Sequence, residues 1–237
     1  DRIAGLMTTL KMPEDEPIEH GIVSKAIEQA QTKVESWFFD QRKRVVEYDD
    51  VVNKQREIIY GRRRKILEEV DSEKLHQETL ARIEGEIKTL VLTRSSDGYT
   101  NLETVRMVKE FSGIIPFDDA SQKRLEEKLK ELNDVEKIEN HLLAIAKDVY
   151  KQREGQLGMG TITDIERFVT LRTADELWMD HLDALDDLRE GIGLRGYAQQ
   201  EPLVEYKKEA FDMFESLLDK VDSEITKRIY RVQPVGV

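Results

Sequence analysis

The sequence contains no cysteine and only five prolines in 237 residues. The lack of cysteine excludes a disulfide framework, a thiol nucleophile and a cysteine-ligated zinc. Aromatic residues make up only 7% of the chain, whereas 36% of its residues carry charge. This combination is typical of helical, elongated proteins with a solvated surface.

Long apolar runs are also missing. No stretch approaches the ~20 apolar residues that a membrane-spanning helix needs, and no basic-then-apolar leader for secretion is present. The chain begins at Asp1 within an amphipathic pattern, so we expect a piece of a longer, soluble cytosolic polypeptide. The net charge of −12 argues against nucleic acid as the main partner.

Glycine and proline are absent between Gly21 and Gly61, and the pattern predicts one helix that continues to Leu67. At 1.5 Å per residue such a helix is roughly 65 Å long. Its apolar residues start with 4-3-4-3 spacing and continue at Val45, Val52, Ile59 and Ile66. That stripe is wider than a coiled-coil seam, so we expect different partners along the helix.

Shorter helical patterns follow from about residue 70 to 155, with breaks at 93–101 and 113–121. Thr163 and Glu166 fit a capping box that opens a helix ending near Glu190. Its expected inward face is Phe168, Leu171, Trp178, Leu182, Leu185 and Leu188.

The last helix is expected to begin at Pro202, which suits a first helical position. Its expected buried face is Tyr206, Ala210, Phe214, Leu217, Val221, Ile225 and Ile229. These two amphipathic helices would form an antiparallel hairpin around a glycine-rich loop. No alternating strand pattern occurs, so the predicted fold class is all-α.

Candidate chemistry is sparse. Gly191, Gly193 and Gly196 spell G-x-G-x-x-G, but a helix rather than a strand precedes them, so a hairpin tip is favoured over a nucleotide site. The four histidines lack metal-ligand spacing, and no phosphate-binding P-loop motif occurs. We therefore predict no catalytic, cofactor-binding or metal-binding residues in this chain.

A basic patch stands out between Gln41 and Ile66, with nine Lys or Arg residues against four acids. It is either a solvated face paired with the acidic insert, the helical stretch from about residue 70 to 155, or a surface for an acidic protein or anionic lipid. The candidate binding residues are Arg42, Lys43, Arg44, Arg62, Arg63, Arg64 and Lys65.

The glycine-rich loop carries a second candidate contact site, which consists of Leu194, Arg195, Gly196 and Tyr197. A large amphipathic tyrosine on a loop is more often a contact residue than a packing one. The alternative is that Tyr197 packs back against its own hairpin.

Two long segments carry a family resemblance. The sequence KAIEQAQTKVESWFFDQRKRVVEYDDVVNKQREIIYGRR (25–63) resembles the scaffold helix of the SecA family of protein-export motor ATPases. The segment 171–225, from LRTADELWMDHL to DKVDSEI, resembles that family's two-helix finger and the helix behind it. Residues 70–154 match the family's helical wing domain in position and length.

The resemblance implies a division of the chain into five parts. These are an exit segment from an upstream nucleotide-binding domain (1–17), the scaffold helix (18–67), the wing (68–158), the two-helix finger (159–202) with its tip loop (191–202), and a closing helix with the C-terminal tail (203–237).

The resemblance also implies a function. The parent protein would be an ATP-driven translocase at the cytoplasmic face of the bacterial inner membrane, moving unfolded preproteins through the SecY channel. ATP and Mg would bind in upstream domains, so this chain alone is expected to be inactive and to hold no cofactor. The scaffold helix would contact the parent's nucleotide-binding and preprotein cross-linking domains. The finger would restrain ATP hydrolysis at rest, and Tyr197 matches the tip residue that touches the translocating chain.

The same resemblance allows homodimerisation of the parent and contact with an anionic membrane surface. One departure is Phe38-Phe39-Asp40, where the family commonly has Asn-Phe-Asp. Another is that the chain ends at RVQPVGV without the Cys/His-rich zinc tail of many members. The alternative function is a free-standing helical adaptor that binds partners through its basic helix.

Overall fold

A computed structural model describes residues 21–68, 71–95, 101–132, 134–195 and 201–234. These ranges contain seven helices and no strand, which confirms the predicted all-α class. The helices are α1 (Gly21–Glu68), α2 (Ser72–Ser95), α3 (Asn101–Ile114), α4 (Asp119–Leu132), α5 (Val135–Leu157), α6 (Met159–Arg195) and α7 (Pro202–Ile229).

The chain divides into two units, Asp1–Asp50 and Val51–Val237, and α1 passes through the boundary. In the first unit, every described side chain from Ser24 to Val46 is exposed. The exposed apolar residues of this stretch include Trp37, whose exposed fraction is 57%, together with Phe38 and Phe39. We call residues 24–46 the exposed segment of α1.

The second unit contains the hydrophobic core, which extends from Ile59 to Tyr230. Within α1 the seven-residue spacing predicted from the sequence is confirmed at Ile59 and Ile66, which are buried. Val52 is half-buried, and Val45 of the first unit is exposed. The remaining core residues come from all six later helices.

Three helices of the insert begin with the same aspartate cap. The carboxylates of Asp71, Asp118 and Asp134 accept hydrogen bonds from the backbone N–H groups of Lys74, Ser121 and Lys137, at 2.8, 2.6 and 2.9 Å. Each bond satisfies a donor that the first helical turn would otherwise leave free. The bonds from Ser121 hold the pKa of Asp118 below its ordinary value.

The capping box predicted at Thr163 and Glu166 is wrong. Helix α6 begins four residues earlier, at Met159, and the Thr163 hydroxyl donates 2.9 Å to the carbonyl of Met159 inside the helix. Gly158, at a φ of 79°, is the one residue between α5 and α6. Its conformation ends α5 and allows α6 to start at once, since glycine adopts positive φ without steric cost.

The two C-terminal helices, α6 and α7, pack along their lengths as a hairpin. All seven residues predicted for the inward face of α7 are buried. On α6 the prediction holds for Trp178 and Leu185, but Phe168 is 52% exposed. Helix α6 also continues to Arg195, beyond the end predicted near Glu190, and α7 begins at Pro202 as predicted.

Candidate functional site: the junction of the long helix with the hairpin

A buried glutamine of α1 joins the long helix to both helices of the hairpin. The side-chain amide of Gln55 donates 2.9 Å to the backbone carbonyl of Ala210 in α7. Its carbonyl oxygen, Oε1, accepts at 2.8 Å from Nε2 of His181 in α6. We call Gln55, His181 and Ala210 the junction. In the junction, the buried amide group of Gln55 forms one hydrogen bond with α6 and one with α7.

The surroundings of His181 determine its protonation. The imidazole lies between the rings of Trp178 and Phe214, at centroid distances of 5.6 and 5.9 Å. Burial lowers the pKa of His181, because desolvation disfavours the charged ring. Since the Gln55 amide faces Ala210, the neutral ring carries its proton on Nε2 and donates to Gln55.

A groove of about 930 Å³ lies beside the junction, between the last turns of α1 and the middle of α6. Its walls include the exposed apolar side chains of Tyr60, Leu67 and Met179. The Arg63 guanidinium crosses to Asp175 of α6, with Nε 3.1 Å from Oδ1. This pair is exposed, so it adds little to the free energy of unfolding.

A second polar cluster joins α2, α5 and α6. The carboxylate oxygen Oε1 of Glu166 accepts from the Tyr150 hydroxyl at 2.7 Å and lies 2.9 Å from Nδ1 of His76. The other ring nitrogen of His76 lies 3.2 Å from Oε1 of Glu154. Burial, with the adjacent Glu166 carboxylate, raises the pKa of Tyr150, so its hydroxyl stays a donor.

The end of α7 is tied to α5. The Arg153 guanidinium donates to the backbone carbonyls of Tyr230, at 3.3 Å, and of Val232. The Tyr230 hydroxyl donates 3.1 Å to the carbonyl of Ala146. Burial lowers the pKa of Arg153 and raises that of Tyr230, which remains a neutral donor at physiological pH.

The predicted tip site lies mostly outside the described residues. The backbone of Leu194 and Arg195 forms the last turn of α6, and their side chains are not described. Gly196 and Tyr197 fall in the range 196–200, which the structure does not describe. The contact role of these four residues stays a prediction.

The basic patch divides between the two units. Arg42, Lys43 and Arg44 are exposed on the first unit, where Lys43 lies 3.9 Å from Glu47. The second unit carries the other four, also exposed: Arg62, Arg63, Arg64 and Lys65. Arg63 pairs with the hairpin and Arg64 with Glu68 of its own helix. Neither of these two pairs involves the insert from about residue 70 to 155, so the expected pairing with the insert is not seen for Arg63 and Arg64.

The described part of the chain contains no group of three or more His, Cys, Asp or Glu residues that could hold a metal ion. No helix within the described ranges is long and apolar enough to cross a membrane. The junction, the Glu166 cluster and the Arg153 contacts join helices to one another.

Sequence reasoning missed the junction and the Glu166 cluster. One signal for Gln55 was available, because its position falls between Val52 and Ile59 on the apolar stripe of α1. A polar residue on a buried face predicts a hydrogen-bonding partner within the protein. For Glu166, the capping-box pattern S/T-x-x-E favoured a helix terminus and concealed a core carboxylate.

Comparison with known proteins gives a consistent match. Residues 17–233 match the family described as the SecA wing and scaffold domain. The chain is 41% identical over 239 residues to the protein translocase subunit SecA of Desulforudis audaxviator, covering 99% of this chain and 26% of that protein. It is 40% identical to the SecA subunit of Desulforamulus reducens and 39% identical to that of Pelotomaculum thermopropionicum, with 98% and 99% of this chain covered.

The chain thus spans 26% of the length of each of these three relatives. The long helix, the helical insert and the C-terminal hairpin all lie within the matched residues. Because the family match covers nearly the whole chain, the chain belongs to the SecA wing and scaffold domain family.

Proposed function

We propose that this chain is the part of a SecA-type translocase subunit that couples ATP hydrolysis in upstream domains to the movement of unfolded preproteins through the SecY channel. ATP and Mg would bind in those upstream domains, and this chain would bind neither. The proposal extends to restraint of the ATPase at rest, and to a location at the cytoplasmic face of the membrane.

The junction is the observation that carries this proposal. Coupling needs a connection by which displacement of the long helix reaches the element that handles preprotein. Gln55 supplies one, because its side chain bonds to α6 and α7 simultaneously and is shielded from water. A sliding or rotation of α1 would break both bonds or carry the hairpin with it.

The exposed segment of α1 supports the proposal from the other end of the helix. It presents Ile27, Val34, Trp37, Phe38 and Phe39 with roughly half or more of each side chain exposed. Apolar side chains grouped in this way mark a contact surface. The relatives are nearly four times longer than the matched region, and their additional domains are the occupants that the proposal assigns to this segment.

The experiment replaces Gln55 by Leu in the full-length protein. We expect preprotein transport per ATP hydrolysed to fall by about two- to thirtyfold, the range of mutations within a coupling network. Nucleotide affinity should not change, because the substitution lies in a chain without phosphate-binding motifs. Transport into membrane vesicles, ATP turnover and nucleotide binding are measured on the same preparation.

Gln122→Leu is the matched control. Gln122 also donates from its side-chain amide to a backbone carbonyl, that of Phe117, at 3.1 Å, but it lies in the insert. The Gln122→Leu protein should retain the wild-type ratio of preprotein transport to ATP hydrolysis. Equal ratios in the Gln55→Leu variant and the wild type would contradict the coupling role of the junction.

The tip assignment is tested in the same assay with Tyr197→Ser. If Tyr197 contacts the moving preprotein, transport falls while nucleotide binding stays intact. Leu194, Arg195 and Gly196 are assigned to the same contact. Unchanged transport in the Tyr197→Ser protein would contradict the contact role of the tip. The coupling role of the junction would then be tested by the Gln55→Leu variant alone.

A further inference from the structure

The exposed segment of α1 carries an apolar stripe with the spacing of a coiled coil. Alternating steps of three and four residues place its members on one side of the helix: Ile27, Ala30, Val34 and Trp37. The exposed fractions of Ile27, Val34 and Trp37 are 46%, 54% and 57%. This spacing is the a and d pattern of coiled coils, in which a second helix covers the stripe.

Two opposite charges lie beside this stripe. Lys33 directly precedes Val34, and Asp40 follows Lys33 by one heptad, so both occupy the g position at the edge of the seam. Both residues are exposed, and neither forms an ion pair with any described residue. Residues at g form the salt bridges between coiled-coil helices that determine partner and orientation.

The two charges favour an antiparallel pair of identical helices. In that orientation g faces g, so Lys33 of each copy faces Asp40 of the other. A shift by one heptad in either direction would bring Lys33 opposite Lys33 or Asp40 opposite Asp40, and like charges repel. In a parallel pair g faces e, which would place Lys33 beside Phe38 and Arg44 against Arg44.

The same register covers the helical part of the first unit from end to end. It places Val34 opposite Trp37 of the second copy, and residue 21 opposite residue 50. The overlap is therefore the range 21–50, all of which belongs to the first unit, and it is roughly 45 Å long. Its apolar side chains would bury on the order of 1,000 Å² between the two copies, the lower limit for a specific interface.

We propose that the exposed segment of α1 is a dimerisation surface, on which the same segment of a second copy packs in antiparallel orientation. An interface of this size is typical of weak complexes, so we expect a dissociation constant on the order of 10 µM. Well below that concentration the chain would be monomeric and the segment uncovered.

This inference goes beyond the proposed function, since it requires neither ATP nor preprotein. The upstream domains assigned to the same segment would compete with the second copy for one surface.

Sedimentation equilibrium of the 237-residue chain, from about 0.5 to 200 µM, tests the dimer. We expect the mass to rise with concentration from that of a monomer to that of a dimer. A monomeric mass throughout, or growth to larger species, would overturn the proposal. The role of the junction would be unaffected, because the Gln55→Leu experiment measures it separately.

Charge reversal tests the orientation and the register. Lys33→Glu alone and Asp40→Lys alone each bring like charges together twice in the dimer, so the dissociation constant should rise about five- to thirtyfold. An equal mixture of the two variants should dimerise again, because the introduced glutamate faces the introduced lysine and Asp40 faces Lys33. Failure of the mixture to recover would overturn the antiparallel register.

Lys25→Glu is the matched control for these charge changes. Lys25 is also exposed on the first unit but lies on the side of α1 opposite the stripe. The variant changes the net charge by the same amount as Lys33→Glu, and its dissociation constant should stay within about twofold of that of the unaltered chain. An effect equal to that of Lys33→Glu would overturn the specific pairing with Asp40.

The apolar seam is tested by Trp37→Ala, with Phe39→Ala as its control. Both aromatic side chains are exposed and the core lies in the second unit, so folding is retained. Loss of Trp37, a central residue of the seam, should raise the dissociation constant at least about thirtyfold. Phe39 is 60% exposed but points away from the seam, and its loss should have little effect. Equal weakening by both variants would indicate non-specific adhesion and overturn the proposal.

Discussion

At the scale of single residues, the Glu166 carboxylate is fully buried among three helices. One of its oxygens bonds to Tyr150 and faces His76, and the other has no partner within the described residues. Both ring nitrogens of His76 lie within 3.2 Å of a carboxylate oxygen, one of Glu154 and one of Glu166. A buried carboxylate is tolerated only with such partners.

Replacing Glu166 by Leu should therefore destabilise the second unit severely. The substitution leaves the Tyr150 hydroxyl without its acceptor and His76 with one carboxylate instead of two. Leaving a buried donor without its acceptor in this way costs about 1–3 kcal/mol in free energy of unfolding. Urea denaturation followed by circular dichroism measures this loss in the free energy of unfolding.

Two further variants calibrate the Glu166 result. Glu166→Gln keeps an acceptor for Tyr150 and should lose less than Glu166→Leu. Glu126→Gln changes an acid that pairs with Lys130 of its own helix, and it should be nearly neutral. A loss below about 1 kcal/mol for Glu166→Leu would show that the cluster adds little to stability.

His181 predicts a pH dependence of stability. Burial holds its pKa in the folded state below the unfolded value of about 6.5. Between these two values the unfolded chain binds a proton that the folded chain does not. The contribution of His181 to the free energy of unfolding is thus fully present above the unfolded pKa, and it falls as the pH drops below that value, by at most about 1.4 kcal/mol per pH unit.

The measurement is urea denaturation at pH 7.5, 6.5 and 5.5, compared between the unaltered chain and His181→Gln. The glutamine retains an N–H donor toward Gln55 and does not titrate. The free energy of unfolding of the His181→Gln protein should decline less steeply from pH 7.5 to 5.5 than that of the unaltered chain. The difference is due to His181, since the other titrating groups are the same in both proteins. Parallel declines would mean that His181 binds protons equally in the folded and unfolded states.

At the scale of elements, α1 changes environment along its 48 residues. Helices in water derive most of their stability from packing, and the exposed segment buries none of its described side chains. We expect its backbone amides to exchange with deuterium faster than those of residues 55–66, where Gln55, Ile59 and Ile66 are buried. Hydrogen-exchange mass spectrometry on the 237-residue chain measures the difference.

The full-length protein is the comparison for this exchange experiment. If upstream domains cover the exposed segment there, its amides become protected while those of residues 55–66 change little. Equal protection of both stretches in the 237-residue chain would contradict the expectation, because it would mean that the exposed segment is stabilised without burial.

The two helices of the hairpin show how far sequence alone predicts this fold. The buried face of α7 follows from spacing, since one apolar stripe contacts one side of the core. Helix α6 buries Thr163, Glu166, Thr170 and Thr173 beside its apolar residues. Because polar residues occupy core positions there, the capping-box pattern at Thr163 and Glu166 indicated the wrong start, and hydrophobic spacing placed Phe168 on the inward face.

At the scale of the whole molecule, all core residues within the described ranges belong to the second unit. The free energy of unfolding obtained from the proposed urea denaturation experiments therefore reports on residues 51–237 rather than on the exposed segment. The sequence predicted the family, the helical class and the basic patch, because these depend on residue order. It did not predict the junction or the Glu166 cluster, which depend on residues such as Gln55 and Ala210, 155 positions apart.

The single residue between α5 and α6 has a consequence for how the chain tolerates change. Gly158 adopts positive φ, and its N–H group donates 2.8 Å to the carbonyl of Glu154. The connection between the two helices therefore has no additional residue that could absorb a change in length. An inserted residue would shift one helix along the other and misalign Tyr150 with Glu166. We therefore expect neither natural homologues nor engineered variants to tolerate an inserted residue at this position. A rotation of α6 about its axis would reach α5 through the φ and ψ angles of Gly158 alone.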